Sequence, residues 1–353
     1  MMYAHFELTL VVTHACNLRC SYCYTGRKSW RTMPLTVAER AVARATASLQ
    51  RGGTLDVGFF GGEPLLETER IEQIIAMTHR HVAGTGINTQ FSLTTNGTVT
   101  TPSAWSLMLR PEMTLAVSCD GLPEIHDRHR RFPDGGGSAA LVYATIRGLV
   151  AADKVFAVAM TVRPDTIGRL VEGVRYLQSA GVRRIEPVLD LWTDWPAPAM
   201  EQLERAIAEL APLWRDGLPR FSISWFDETA ARLGGLPVLG ERRCGFGCGH
   251  VAVAPSGRLY TCERLIGADA PDNPNRLPGR IEEEPDFLRF TPAPGRAADP
   301  CEGCAIRDYC NTTCRGSNLI RSGHVDRPDR LLCKLNRWCV RETGRVLQEA
   351  AST

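Results

Sequence analysis

Short apolar, β-branched runs alternate with helix-length segments six times over the first two thirds of the chain. The runs at 6–13, 55–60, 90–95, 113–118, 155–162 and 184–190 predict strands. Between and after them, 37–50, 67–82, 102–109, 139–151, 166–179 and 199–214 predict helices. Ile71, Ile74, Ile75 and Thr78 share one helical face, and Leu170, Val174 and Leu177 repeat the pattern. Strand–helix alternation, with runs read as apolar on both faces, predicts a parallel sheet. Six units rather than eight predict an α/β fold in the form of a partial six-unit (β/α) barrel. A Trp- and Pro-rich stretch at 191–200 and Gly217–Pro219 set its end, giving a barrel domain at 1–218 and a second domain at 219–353.

Every unusual sequence in the barrel region follows a strand, where α/β barrels gather their ligands. Three cysteines, Cys16, Cys20 and Cys23, follow the first run. Gly61-Gly62-Glu63-Pro64 follows the second, Asn96-Gly97 the third, Asp120-Gly121 the fourth and Arg163-Pro164-Asp165 the fifth. One active site at one end of the barrel is the expectation.

The 353 residues, 44% hydrophobic, are ample for two cores. A formal net charge of +2 gives no footprint for nucleic acid or an anionic membrane. No membrane-length apolar run and no signal peptide is visible, so a cytoplasmic chain with reduced thiols is expected. That turns attention to the 13 cysteines as metal ligands, nine of which follow Arg243.

A four-iron cluster takes four thiolates, and the opening loop supplies three, leaving one iron open. A closed zinc tetrahedron is the competing reading, and the loop does not close one. Cys-x-x-x-Cys-x-x-Cys with Tyr22 before the last cysteine resembles the radical S-adenosylmethionine (SAM) signature. The later cysteines, Cys244, Cys248, Cys262, Cys301, Cys304, Cys310, Cys314 and Cys333, resemble the SPASM extension of peptide- and protein-modifying members, with Cys248 as an eighth ligand. A β-hairpin around Pro255-Ser-Gly-Arg258 belongs to this cysteine-rich iron–sulfur domain. Two zinc sites are the alternative for the paired Cys-x-x-Cys elements.

The resemblance implies SAM and three [4Fe-4S] clusters. One auxiliary cluster would take Cys244, Cys248, Cys262 and Cys314, the other Cys301, Cys304, Cys310 and Cys333. Gly61, Gly62, Glu63 and Pro64 look like the family's motif that holds the SAM amino group, and Ser118 and Asp120 match positions at its ribose. His126, Asp127 and Arg130 read first as a loop-stabilising network. Glu263 follows Cys262, where sulfatase maturases carry an aspartate base. It reads either as a base near the substrate or as an ion-pair partner of Arg264. Cys119 and Cys339 are expected in the core.

By implication the substrate is a peptide or protein, oxidised or cross-linked on a side chain. The electron donor would be a flavodoxin or ferredoxin. The chain starts about one strand before the cysteine loop, so a leader peptide would be read by a separate protein or by the barrel surface. Formylglycine formation in a sulfatase, a small-molecule substrate, and a non-catalytic zinc-stabilised binding protein are the alternatives.

Overall fold

The computed structural model describes residues 2–235, 245–289, 301–310 and 314–351. Cys244 and the Pro-rich stretch 292–300 lie outside them. The chain forms two compact units that interleave along the sequence, one built on residues 1–117, 130–145 and 245–293, the other on 118–129, 146–244 and 294–353.

The elements run in chain order as β1 (Tyr3–Thr13), α1 (Leu35–Ala47), β2 (Leu49–Gly61), α2 (Thr68–Val82), β3 (Asn88–Thr95), α3 (Pro102–Leu109) and β4 (Met113–Ser118). Then come α4 (Pro123–His129), α5 (Ala139–Ala151), β5 (Phe156–Val162), α6 (Leu170–Ser179), β6 (Arg184–Leu189), α7 (Ala197–Gly217), β7 (Ser222–Ile223) and α8 (Ser224–Leu233). The last are β8 (His250–Val253), β9 (Arg258–Tyr260), β10 (Arg276–Arg280), α9 (Arg315–Ser322) and α10 (Arg330–Ala351). All six predicted strands and all six predicted helices are present.

In the first unit the strands lie in the order β10-β9-β8-β1-β2-β3-β4. Pairing is parallel from β8 to β4 wherever it is resolved, and antiparallel only in β8–β9 and β9–β10. The hairpin expected in the C-terminal half therefore continues the sheet beside β1, with His250 in register with Glu7. In the second unit β5, β6 and β7 are parallel.

The strands are not apolar on both faces. Phe6, Leu8 and Leu10, Leu55, Val57 and Phe59, and Phe91 and Leu93 form one buried face, packed under α1 and α2. The alternate positions are Glu7 and Thr9, Asp56 and Gly58, and Ser92 and Thr94, and these line a cavity of about 240 Å³. A side-chain period of two is enough to separate the faces, so one carries the core and the other is polar.

The C-terminal region also holds more regular structure than its composition implies. The 22-residue helix α10 packs against α7 and α8, burying Leu331, Trp338, Cys339 and Val346. These positions recur at helical spacing, a signal that the density of cysteines obscures.

Candidate functional site

The cysteine loop leaves β1 at Thr13 and returns beside it. Met33 N donates to Val12 O at 2.8 Å and His14 N to Arg31 O at 2.9 Å, so the two legs of the loop are zipped together. Cys16, Cys20 and Cys23 are half-buried between them. Leu18 N donates to Cys16 Sγ at 3.4 Å, and Asn96 Nδ2 lies 3.8 Å from the same sulfur. Lys28 Nζ donates to Cys23 Sγ at 2.9 Å. Burial raises the Cys23 thiol pKa, but the Lys28 charge and hydrogen bonds from Lys28 and Thr25 outweigh it and leave the thiol below its ordinary value. At Cys16 burial prevails and the pKa goes up. Three thiols on one loop, two of them already receiving N–H donors, form a donor set that fits a four-iron cluster. Among the described residues no three potential ligands are already closed around a single-ion position.

The end of β2 runs against this loop at backbone distance. Gly62 N donates to Thr13 O and Glu63 N to Ala15 O, both at 2.8 Å. A Cβ on Gly62 would sit 2.1 Å from Ala15 O, and one on Gly61 2.4 Å from Thr13 O. The two glycines are thus required by the approach of the cysteine loop itself. Glu63, 1% exposed, accepts from Leu65 N at 3.0 Å, Thr95 Oγ1 at 2.8 Å and Asn96 N at 2.7 Å. Burial pushes its pKa up to about 7, against the lowering effect of the three donors. Asn96 carries the tie onward, donating to Asn17 Oδ1 at 2.9 Å, while Asn17 donates to Thr98 Oγ1 at 2.7 Å. Glu63 thus locks the ends of β2 and β3 to the loop that carries the cysteines.

Asp269 is a second anchor, which the sequence reading missed. Its carboxylate is fully buried and accepts from Arg31 at 3.1 Å, Ser256 Oγ at 2.9 Å and Tyr260 Oη at 3.1 Å, with Arg258 at 3.4 Å. It joins the cysteine loop to the β8–β9 hairpin. No pattern in the sequence marks it, because the four donors converge only in three dimensions.

Glu263 projects into the polar cavity beside β1–β3. Its Oε2 lies 3.9 Å from His250 Nε2, and His250 Nδ1 lies 3.4 Å from Glu7 Oε2. Tyr24, stacked on Phe60 with ring centroids 6.4 Å apart, sits close enough for the Glu263 charge to act on its phenol, whose pKa burial pushes well up. Asp56 faces the same cavity, its pKa raised by burial and by Glu7. His250 and Asp56 were also missed; Asp56 stands out afterwards as a charged residue in an apolar run.

The remaining predicted residues divide between the units. Cys248 and Cys262 belong to the first. Ser118 and Asp120 belong to the second, where Asp120 Oδ1 accepts from Thr161 N at 3.0 Å and Asp120 N donates to His126 Nδ1 at 3.3 Å. His126 thus holds its own loop, while Arg130 in the first unit lies over the Tyr22 ring at 5.3 Å. In the second unit the Cys333 thiol pKa is raised by burial and then by Cys301 and Cys310. Arg337 Nη2 lies 3.8 Å from Cys304 Sγ, so these four thiols gather near the start of α10. Cys314 caps α9, accepting from Ser317 N at 3.4 Å and Ser317 Oγ at 3.1 Å. Cys119 and Cys339 are buried, as expected. No described helix is long and apolar enough to cross a membrane.

Comparison with known proteins gives this arrangement a context. The model of the radical SAM superfamily matches residues 10–207. The uncharacterized protein MJ0907 of Methanocaldococcus jannaschii is 29% identical over 51% of the chain, which spans only 60% of that protein. A cysteine-type anaerobic sulfatase-maturating enzyme of Clostridium novyi is 26% identical over 71% of each chain. Mycofactocin maturase MftC of Mycobacterium ulcerans is 24% identical over 91% of this chain and 86% of its own. The solved structure of anSMEcpe with bound AdoMet and Kp18Cys peptide covers 98% of this chain and 99% of its own, with a TM-score of 0.78 and 20% identity. At that identity the likeness is one of fold.

Proposed function

The chain belongs to the radical SAM superfamily and is an enzyme, and on that premise we propose that it is a maturase acting on a side chain of a peptide or protein. The observation that carries this reading is the polar cavity on one face of β1–β3, lined by Glu263, beside the strand whose carboxyl end bears the cysteine loop. A maturase must hold a polar substrate segment close to its radical source, and a polar inner face suits that. The sulfatase-maturating and mycofactocin relatives, and the peptide in the anSMEcpe complex, support the substrate class.

SAM and a four-iron cluster, held at the cysteine loop, would supply the radical chemistry needed to take a hydrogen atom from an unactivated carbon. The rest falls to the protein. Cys16, Cys20 and Cys23 would hold that cluster, and Glu63, Asn96 and Asn17 fix the loop they ride on. Gly61, Gly62, Glu63 and Pro64 would border the SAM amino group, and Ser118 and Asp120 its ribose. The Glu63 oxygens already accept three hydrogen bonds within the chain, so its part is chiefly to position the backbone around it. Glu263 would accept a proton from the substrate, with His250 steering its carboxylate. Cys244, Cys248, Cys262 and Cys314, and Cys301, Cys304, Cys310 and Cys333, would hold two auxiliary clusters able to carry an electron away. A low-potential electron donor, and for a leader-bearing precursor a separate leader-binding protein, complete the set of partners.

The test is Glu263→Gln in anaerobically reconstituted protein. Cleavage of SAM to 5′-deoxyadenosine should persist while product formation on the peptide falls about 100-fold. Equal loss of both would remove Glu263 from the proton-transfer role. Formylglycine formation is the second reading, favoured by the acidic residue after Cys262 and by the Clostridium novyi relative. Conversion of a cysteine-type sulfatase peptide by the wild-type enzyme would select it over a cross-linking or dehydrogenating maturase.

A further inference from the structure

The polar cavity beside β1–β3 carries a negative charge that the chain does not balance. Asp56 is in register with Glu7, and Glu7 with His250, so three titratable side chains form one row across β2, β1 and β8. Glu263 lies beyond His250, with 3.9 Å between Oε2 and Nε2. Three carboxylates thus line the cavity, and among the described residues lining it there is no lysine or arginine. The two imidazoles nearby face Glu7, His250 at 3.4 Å and His5 at 4.0 Å. Asp56 is half-buried and has no hydrogen bond or ion pair among the described residues.

Such a carboxylate is costly to keep. Burial and then the Glu7 charge raise its pKa, since a desolvated carboxylate beside a like charge disfavours ionisation. The core face of β2 is complete without it, in Leu55, Val57 and Phe59. A cation brought in by a ligand removes the penalty, and a cleft lined by one sign of charge concentrates the opposite sign.

The cavity has a direction as well as a sign. Above the Asp56 row, Gly58 and Ser92 are in register, and Phe60 and Thr94 line the cavity two residues further on. From Asp56 to Phe60 is roughly 13 Å of strand. At the upper end Phe60 stacks on Tyr24, the residue after Cys23. Gly58, between the two ends, has no side chain to fill the space.

We propose that this cavity selects its peptide by a lysine or arginine side chain, the cationic head held between Asp56 and Glu7 and the residue to be modified lying at the Phe60 end. This rests on the maturase reading of the same cavity. An extended lysine or arginine side chain takes up roughly 6 Å of that length, and the remainder is about two extended residues. The cation therefore belongs about two positions from the residue attacked.

The experiment measures binding of nonapeptides, blocked at both ends and carrying an uncharged fluorophore, to anaerobic holoenzyme without SAM. Each peptide has a central cysteine in a Gly/Ser background, with lysine, glutamine or glutamate two positions before or after it. In one of the two placements lysine should bind at least about tenfold tighter than glutamine, and glutamate weaker than either. Asp56→Asn should cut the lysine preference to about twofold or less, and Asp56→Lys should invert it in favour of glutamate. Reading each protein as a ratio between peptides separates loss of charge recognition from a general loss of affinity.

Equal affinities of the three peptides for wild type overturn the proposal, as does a lysine preference that survives Asp56→Asn combined with Glu7→Gln. Mass spectrometry after addition of SAM and dithionite separates this proposal from the reading beneath it. Modification indifferent to peptide charge keeps the maturase and overturns the cation site. Asp56-dependent lysine preference with no mass change on any peptide supports the cation site and counts against the maturase.

Discussion

Glu63→Gln replaces one oxygen of a carboxyl that is 1% exposed and accepts three hydrogen bonds. If the amide oxygen keeps the place of Oε1, the bonds from Leu65 N and Thr95 Oγ1 survive. The amide nitrogen then faces Asn96 N, donor against donor, and a buried N–H is left without an acceptor at a cost of about 1–3 kcal/mol. Glu63→Ala strands all three donors and should cost more, about 3–5 kcal/mol. Hydrogen exchange followed by mass spectrometry reads this locally. The Asn96 amide should exchange about 10–100-fold faster in Glu63→Gln, and faster still in Glu63→Ala, with the Leu65 amide affected only by alanine.

Charge adds a pH dependence. The folded-state pKa of Glu63, near 7, lies above the ordinary 4.5, so the folded state prefers the protonated carboxyl. The associated stability is present in full below about pH 4.5 and is lost as pH rises through 7, about 3 kcal/mol across that window. Glutamine does not ionise, so the deficit in thermal midpoint of Glu63→Gln at pH 5 should shrink or reverse by pH 8. Exchange at Asn96 that matches wild type, or a deficit that does not change with pH, would refute the assignment of Glu63 as the buried tie between β2 and β3.

Other substitutions probe the neighbouring parts. Asp269→Ala removes the acceptor shared by Arg31, Ser256, Tyr260 and Arg258. It should cost about 3 kcal/mol and speed exchange at the His14 amide, which is bonded to Arg31 O; a midpoint within a degree or so of wild type would contradict it. Gly62→Ala drives a Cβ to 2.1 Å from Ala15 O, so the loop must move. On the proposal of three four-iron clusters, iron content should then drop by about a third, from roughly twelve, with the auxiliary signals retained. If Cys333 holds a proposed auxiliary cluster, Cys333→Ala should remove the iron of that one cluster and leave dithionite-driven SAM cleavage intact, as measured by iron and 5′-deoxyadenosine.

The β and α elements were legible because their signal is local: the periodicity of Ile71, Ile74 and Ile75 or of Leu170, Val174 and Leu177 depends only on residues a few positions apart. The cysteine loop and Gly61-Gly62-Glu63-Pro64 were legible for the same reason, since both are short contiguous strings set at strand ends. What Glu63 does was not, because its acceptor geometry depends on Thr95 and Asn96, more than 30 residues away. The placement of β8 beside β1 rests on a pairing across some 240 residues, and the convergence on Asp269 on one nearly as long. Spacing along the chain specifies which chemistry the residues can offer. Only folding brings distant donors and charges into one low-dielectric place, where a carboxylate becomes a clamp and a strand's inner face a cavity.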